Sequence, residues 1–508
     1  MKSRRNFIKR TAIGTTGLFV GVNSLKDSNK DNILSDNLKT ASMAAKQDFD
    51  KSVLQEKYWE IVKPVRGGGH ATNYVPTIEA AIVRRKDNYG MWWPGAIYDG
   101  KEAISRYTSQ IKETAKLLGV QLNLKQEPIY SNNDADKWVA KIKGSKPDGI
   151  VLLVLDRQQH SWPTAYKVAD IGIPSVIFTP LGCAFHSNTA PLADKPGCVV
   201  YSTSLRDSGQ LSFGIKMLEA GARIRHSKCI SFRGDKSGET IMGDTGITVK
   251  HFPIKTYIDE VNKIPTNEKV LLMTGDLMRR AHKQIGATKE DVINGVKGYF
   301  AARKILEREK ADSMTLAGCV DLVKYRPCIA WVTLSDEGIP AACEGDLNAI
   351  ISKIFVQYLF SRPGFQQDPV PDTANYAFIG AHCQCATRLN GFDQPSEPFY
   401  IGHHHGNTDA TLIPQWKTGQ RVTAIDVVYK QKEQTEIQLL TGTVMDNISS
   451  PPNGGCVVSV RFKIDGLDNS KDVLSVPGMH QVFFYGDYGR EIEDFCKLFN
   501  FKLTNIYS

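Results

Sequence analysis

Two stretches of this chain carry residues with the types and spacing for chemistry. The first runs from Ala311 to Ala349 and places Asp321, Glu344 and Asp346 just past short apolar runs, Met314–Leu316 and Ile329–Leu334, that read as strands. Ligands of open α/β sheets sit outside the carboxyl ends of strands. Carboxylates arriving there from neighbouring strands are what a divalent cation or a proton-transferring pair requires. A single aspartate before a helical run is more simply an N-cap, but the cluster as a whole points to a site. The second stretch, Gly478-Met479-His480 through Tyr485-Gly486-Asp487, offers an imidazole at a turn into a strand.

Other polar groups fit blander roles. His382 opens the C-terminal region and is a candidate substrate contact or a hydrogen-bonded core histidine. Trp93, in Trp92-Trp93, is a candidate stacking platform for a sugar face, although large aromatics more often simply pack. In His403-His404-His405, adjacent side chains of an extended segment point to opposite faces, which favours a solvated loop over a metal site. Cys383 and Cys385 have no second pair at matching spacing and read as buried small residues.

These groups need a scaffold, and the pattern supplies one. The 508 residues exceed a single core, and 41% hydrophobic with 23% charged residues describes an ordinary globular composition. Apolar runs at 149–155, 174–179 and 198–202 alternate with helical stretches at 100–118, 134–142, 162–169 and 208–220, the pattern of a parallel sheet with crossover helices. A second α/β unit comes next, with helices at 289–310 and 347–359, and from about residue 372 the texture turns to β. The fold class is therefore α/β: two Rossmann-like, doubly wound domains, 47–234 and 235–371, followed by a mostly β domain, 372–508. Residues 1–46 form a leader and linker. Gly67-Gly68-Gly69-His70 lacks the dinucleotide-binding spacing.

The net charge of +9 owes five charges to Lys2, Arg4, Arg5, Lys9 and Arg10, and no basic stripe interleaves with aromatics, so nucleic acid is not an expected partner. The run Thr11–Val22 is too short for a stable membrane span, and no longer apolar run comes after it. The ten cysteines form no disulfide framework.

Two resemblances add to this. Ser3-Arg4-Arg5-Asn6-Phe7-Ile8-Lys9 resembles a twin-arginine (Tat) export signal, which implies the Tat machinery as partner and a periplasmic location, membrane-anchored if the leader is uncleaved. Cys343-Glu344-Gly345-Asp346 and the segment around His480 resemble motifs of the L-fucose isomerase/L-arabinose isomerase superfamily, especially its L-fucose-isomerase-like branch. That resemblance implies a divalent cation, in that family usually Mn²⁺, held by two carboxylates and a histidine. It implies an aldose–ketose isomerisation of a monosaccharide or sugar acid through an enediol, and a homo-oligomer, often a hexamer. By motif Asp321 and Asp346 are the two carboxylates, metal ligands and proton carriers, and His480 is the histidine, with Glu344 the alternative ligand. Aspartate at 321 stands where the fucose and arabinose enzymes carry glutamate, one methylene longer. An epimerase on the same site, or an exported carbohydrate-binding protein without chemistry, are the rival expectations.

Overall fold

The computed structural model describes residues 53–508, apart from 88–89, 94–95, 158, 205–208, 236, 405, 450–454 and 507–508; the side chains of 53–56, 90–93 and 96–98 also lie outside it. The expected leader and its twin arginines fall outside the described residues. The described chain is a mixed α/β molecule with two parallel sheets and a C-terminal antiparallel barrel.

The first sheet has five parallel strands in the spatial order Gln121–Leu124, Thr77–Val83, Gly149–Val154, Ser175–Pro180, Cys198–Thr203. Gly149–Val154 and Ser175–Pro180 are buried at every residue, which is why they read as unbroken apolar runs. The helices Gly100–Leu118, Asn132–Ser145 and Ser161–Ala169 connect them. Asp99 starts the first by accepting from the backbone N–H groups of Lys101 and Glu102, and Gly119 ends it in the left-handed conformation.

The second sheet runs Ala341–Cys343, Ser313–Leu316, Lys228–Phe232, Thr248–Phe252, Gly238–Ile241, with only the last strand antiparallel. Ile329–Leu334 is not a strand. It lies inside the helix Cys328–Asp336, where Cys328, Ile329, Ala330, Trp331, Val332 and Leu334 are all buried. A short element buried all round shows neither the period of a helix nor that of a strand.

In the barrel, Arg421–Val428, Gln481–Tyr485, Phe365–Asp372, Ala377–His382, Val458–Ile464 and Glu436–Asn447 pair in that order, and Glu436–Asn447 pairs back to Arg421–Val428. Closure leaves no edge among the six. Phe462 and Phe483 stack at 4.3 Å between centroids within its apolar filling, with Phe365, Phe378 and Trp416 around them. The barrel begins at Phe365, ahead of the expected boundary at 372.

The helix Leu347–Phe360 joins the three parts. From Ala349 onward it is buried on every side, because the first sheet's helix Gly209–Arg225, the second sheet and the barrel strands Arg421–Val428 and Gln481–Tyr485 all pack against it. A helix buried on every side, mostly apolar with Lys353 and Gln357 enclosed, is an interior helix. Its first residue therefore enters the molecule at the meeting point of sheet and barrel, and the candidate site lies there. Among the described residues no helix is long and apolar enough to cross a membrane.

Candidate metal centre

The edge strand Ala341–Cys343 ends in a tight turn. Glu344 (φ +63°) and Gly345 (φ +66°) are both left-handed, and Asp346 then caps the helix Leu347–Phe360. A Cβ on Gly345 would lie 2.8 Å from that of Ala317, so the turn needs glycine there. A glutamate held in this conformation is an uncommon, strained arrangement of the kind found at functional sites. Gln366 secures the approach: its Oε1 accepts from the Cys343 N–H at 2.9 Å.

The barrel supplies the rest. Phe365–Asp372 pairs with Gln481–Tyr485 in the register Gln367 opposite Gln481, so one step further Asp368 faces His480. On its other side Asp368 is opposite Ala381, beside His382. Strand register thus assembles two imidazoles and a carboxylate from residues far apart in sequence.

Asp346 makes two contacts, and they define its role. Its Oδ1 accepts from the Ala349 N–H at 3.0 Å as the helix cap, and its Oδ2 lies 2.7 Å from His480 Nδ1. This fixes the imidazole with Nε2 turned the other way, 3.0 Å from Asp368 Oδ1 and 3.4 Å from Glu344 Oε2. Glu344 Oε1 is 3.6 Å from His382 Nε2, and the two histidine rings meet edge to face at 5.5 Å. None of these Nε2 contacts is a hydrogen bond: His480 Nε2, His382 Nε2 and Asp368 Oδ1 are buried with no hydrogen-bond partner. Ligand atoms of Glu344, His382 and His480 all lie within 4.8 Å of one another.

Electrostatics agree with that convergence. Burial opposes charge on His480, but Asp346, Asp368 and Glu344 outweigh it and push its imidazole up to about 12. In return His480 holds Glu344 below the usual carboxylate range, and keeps Asp346 and Asp368 below it against a burial that would raise them. Burial pulls His382 down to about 4, which leaves it neutral. Behind them Asp426, on a barrel strand, is pushed up to about 7 by burial and by the charge on Asp346. The cluster stabilises positive charge at the point its donors face.

Two carboxylates and one or two imidazoles, with orphaned donor atoms directed at one point, fit a hard to borderline divalent cation. Glu344, His382 and His480, whose ligand atoms lie within 4.8 Å of one another, would hold it together with Asp368, whose Oδ1 lies 3.0 Å from His480 Nε2. Asp346 is then a positioning residue rather than a ligand, the carboxylate–histidine arrangement that orients metal-binding imidazoles. Asp321 shares none of these contacts. It ends the 3₁₀ turn Cys319–Asp321 and is exposed. Trp93 ends the strand Gly90–Trp93, and its side chain lies outside the described residues.

An open cleft of about 680 Å³ lies in front of the cluster, lined by Glu344, Asp346 and His480 together with Arg233, His251 and Tyr429. This is the size of a small-molecule site, and its walls are polar. Sequence reasoning missed Asp368; the available signal was the polar run Gln366-Gln367-Asp368 directly after the buried Phe365, where a strand otherwise entering a core turns polar.

No family model and no curated protein matches the chain. Among solved structures, a crystal structure of a sugar ABC transporter from Yersinia enterocolitica subsp. enterocolitica 8081 is 14% identical, covering 69% of this chain and 87% of that one, with a TM-score of 0.19. A likeness at that score carries no argument about fold or function.

Proposed function

We propose that this protein is a metal-dependent enzyme that enolises a monosaccharide or sugar acid, in the manner of an aldose–ketose isomerase. One observation carries the reading: at the wall of a polar cleft, ligand atoms of Glu344, His382 and His480 lie within 4.8 Å of one another, and Nε2 of both histidines and Oδ1 of the neighbouring Asp368 are buried and hydrogen-bond-free. A divalent cation bound there, Mn²⁺ by the family resemblance, supplies Lewis-acid stabilisation of charge developing on substrate oxygens.

The chain's own residues divide the remaining work. Glu344 is the member that reaches the cleft, its side chain 42% exposed, and it is placed to take a proton from the carbon next to the carbonyl and return it to the neighbouring carbon. The C–H bond breaks, its electron pair forms the enediol double bond, and the carbonyl oxygen takes a proton from water; in the second step the neighbouring hydroxyl gives its proton to water as its carbon becomes the carbonyl, and Glu344 returns its proton to the former carbonyl carbon. Asp346 fixes His480. Neutral His382 faces Glu344 from the buried side and limits its movement. Arg233 and Tyr429 line the cleft where hydroxyl or carboxylate groups of substrate would sit.

The two parallel sheets are read as Rossmann-like, doubly wound lobes; the Tat-like leader supports export to the periplasm; and a homo-oligomer follows from the family resemblance. The test is incubation of the full chain with Mn²⁺ and a panel of aldoses and sugar acids in deuterated water. Ketose formation with deuterium incorporated beside the carbonyl, abolished in Glu344→Gln, is the expected result. Saturable sugar binding with no exchange and no effect of chelator would replace this reading with that of a carbohydrate-binding protein.

A further inference from the structure

A second convergence of ligating atoms lies in the core, apart from the cleft. Cys328 opens the helix Cys328–Asp336, Cys383 follows the barrel strand Ala377–His382, and His404 follows the strand Phe399–His403. Ligand atoms of the three lie within 4.8 Å of one another, and the residues are 1%, 4% and 1% exposed. The Cys343 thiol meets that of Cys383, and both residues are buried. Three elements distant in sequence thus bring two thiols and an imidazole to one place, and a fourth sets the Cys343 thiol beside Cys383.

Cys383 and Cys385 are buried, as read from sequence, but the histidine run departs from its reading. The alternation of an extended chain does separate His403 from His404, but it sends His404 inward rather than into a solvated loop. Cys383 finds its partners in Cys328 and Cys343, not in Cys385, so no short motif announces the group. The flanking backbone is fixed: Thr411 Oγ1 donates to the Cys383 carbonyl at 2.8 Å.

We propose that Cys328, Cys383 and His404, with Cys343 as fourth ligand, form a structural metal site for Zn²⁺. Three thiolates and an imidazole are a closed tetrahedral donor set that selects a borderline-soft ion. The cleft site, built from carboxylates and imidazoles, selects a harder one, so the two sites take different metals. Each thiol that ligates releases its proton on binding. Cys343 directly precedes Glu344, and Cys383 directly follows His382. An ion at this site therefore clamps the backbone that carries two residues of the cleft cluster, and its role is to position them.

The test uses the full chain purified without chelator, alongside Glu344→Gln/His480→Gln, which removes the cleft site. About one equivalent of Zn²⁺ is expected to stay with that double variant through gel filtration. Co²⁺ in its place is expected to show the charge-transfer absorption of a cobalt–thiolate bond. Cys328→Ser and His404→Gln each weaken Zn²⁺ retention by about tenfold or more, while Cys385→Ser, a buried thiol outside the group, leaves it unchanged. If a ligand variant does not fold, the unsubstituted chain still decides the matter: titrating its thiols with a mercurial must release Zn²⁺. Folded protein that retains no Zn²⁺ and gives no cobalt–thiolate band overturns the proposal, as does retention unaffected by both Cys328→Ser and His404→Gln.

Discussion

Asp346 Oδ2 lies 2.7 Å from His480 Nδ1 while Asp346 Oδ1 caps the helix Leu347–Phe360. One carboxylate thus ties the orientation of an imidazole to the start of the molecule's central helix. The geometry leaves Nε2 free to face Asp368 and Glu344, and it separates the residue that orients from the residues that ligate.

Asp346→Asn tests that separation. Asparagine also caps helices well, so the fold should hold, but the amide no longer offers the charge that fixes and polarises the imidazole. Mn²⁺ affinity is expected to fall by about 10–100-fold, the cost of losing an outer-shell partner. Titration calorimetry on the folded variant checks this; complete loss of binding would make Asp346 a ligand after all.

Asp368 and Asp321 give opposite expectations. Asp368→Asn should abolish stoichiometric Mn²⁺ binding and turnover, because its Oδ1 is one of the converging donors. Asp321→Asn, on an exposed turn, should leave both unchanged. Metal analysis of the two variants side by side distinguishes them.

Much of the scaffold was legible in sequence. The helices 100–118 and 347–359 and the parallel strands near 149, 175 and 198 all stand where hydrophobic period and length place them. Glu344, Asp346 and His480, read from sequence as candidate ligands, also meet in the structure. Asp368 was not legible, because what brings it to His480 is antiparallel register, set by two strands more than a hundred residues apart. Asp321 reads as a ligand because it follows the apolar run Met314–Leu316, as Glu344 and Asp346 follow a second such run; the structure sends Asp321 into an exposed turn instead. His404 shows the same limit: alternation gives two faces but does not say which one is buried.

The buried carboxyl of Asp426 makes stability depend on pH. Its folded value is raised to about 7, so the folded state keeps a proton that the unfolded state has released above its ordinary range. The stabilisation is full below about pH 4 and is lost as pH rises through about 7. Asp426→Asn removes that titration, and it should exceed the unsubstituted chain in stability above pH 7 by up to about 4 kcal/mol, with little difference near pH 4. Urea denaturation at the two pH values checks the sign.

Gly345→Ala probes the turn. Its left-handed φ and the 2.8 Å approach to the Ala317 Cβ add a conformational cost of about 1 kcal/mol to a steric clash. Loss of stability together with weakened Mn²⁺ binding is expected, since Glu344 must move with the turn. A thermal melt and a metal titration on the same sample check both.

The most direct measurement is anomalous diffraction at the manganese edge from crystals grown with Mn²⁺. A single strong peak is expected in the cleft site, bonded to Glu344, Asp368 and His480 Nε2, with Asp346 contacting Nδ1 and not the metal. A peak ligated by Asp321 or Asp346, or the lack of any peak among these residues at saturating Mn²⁺, would contradict the proposed centre.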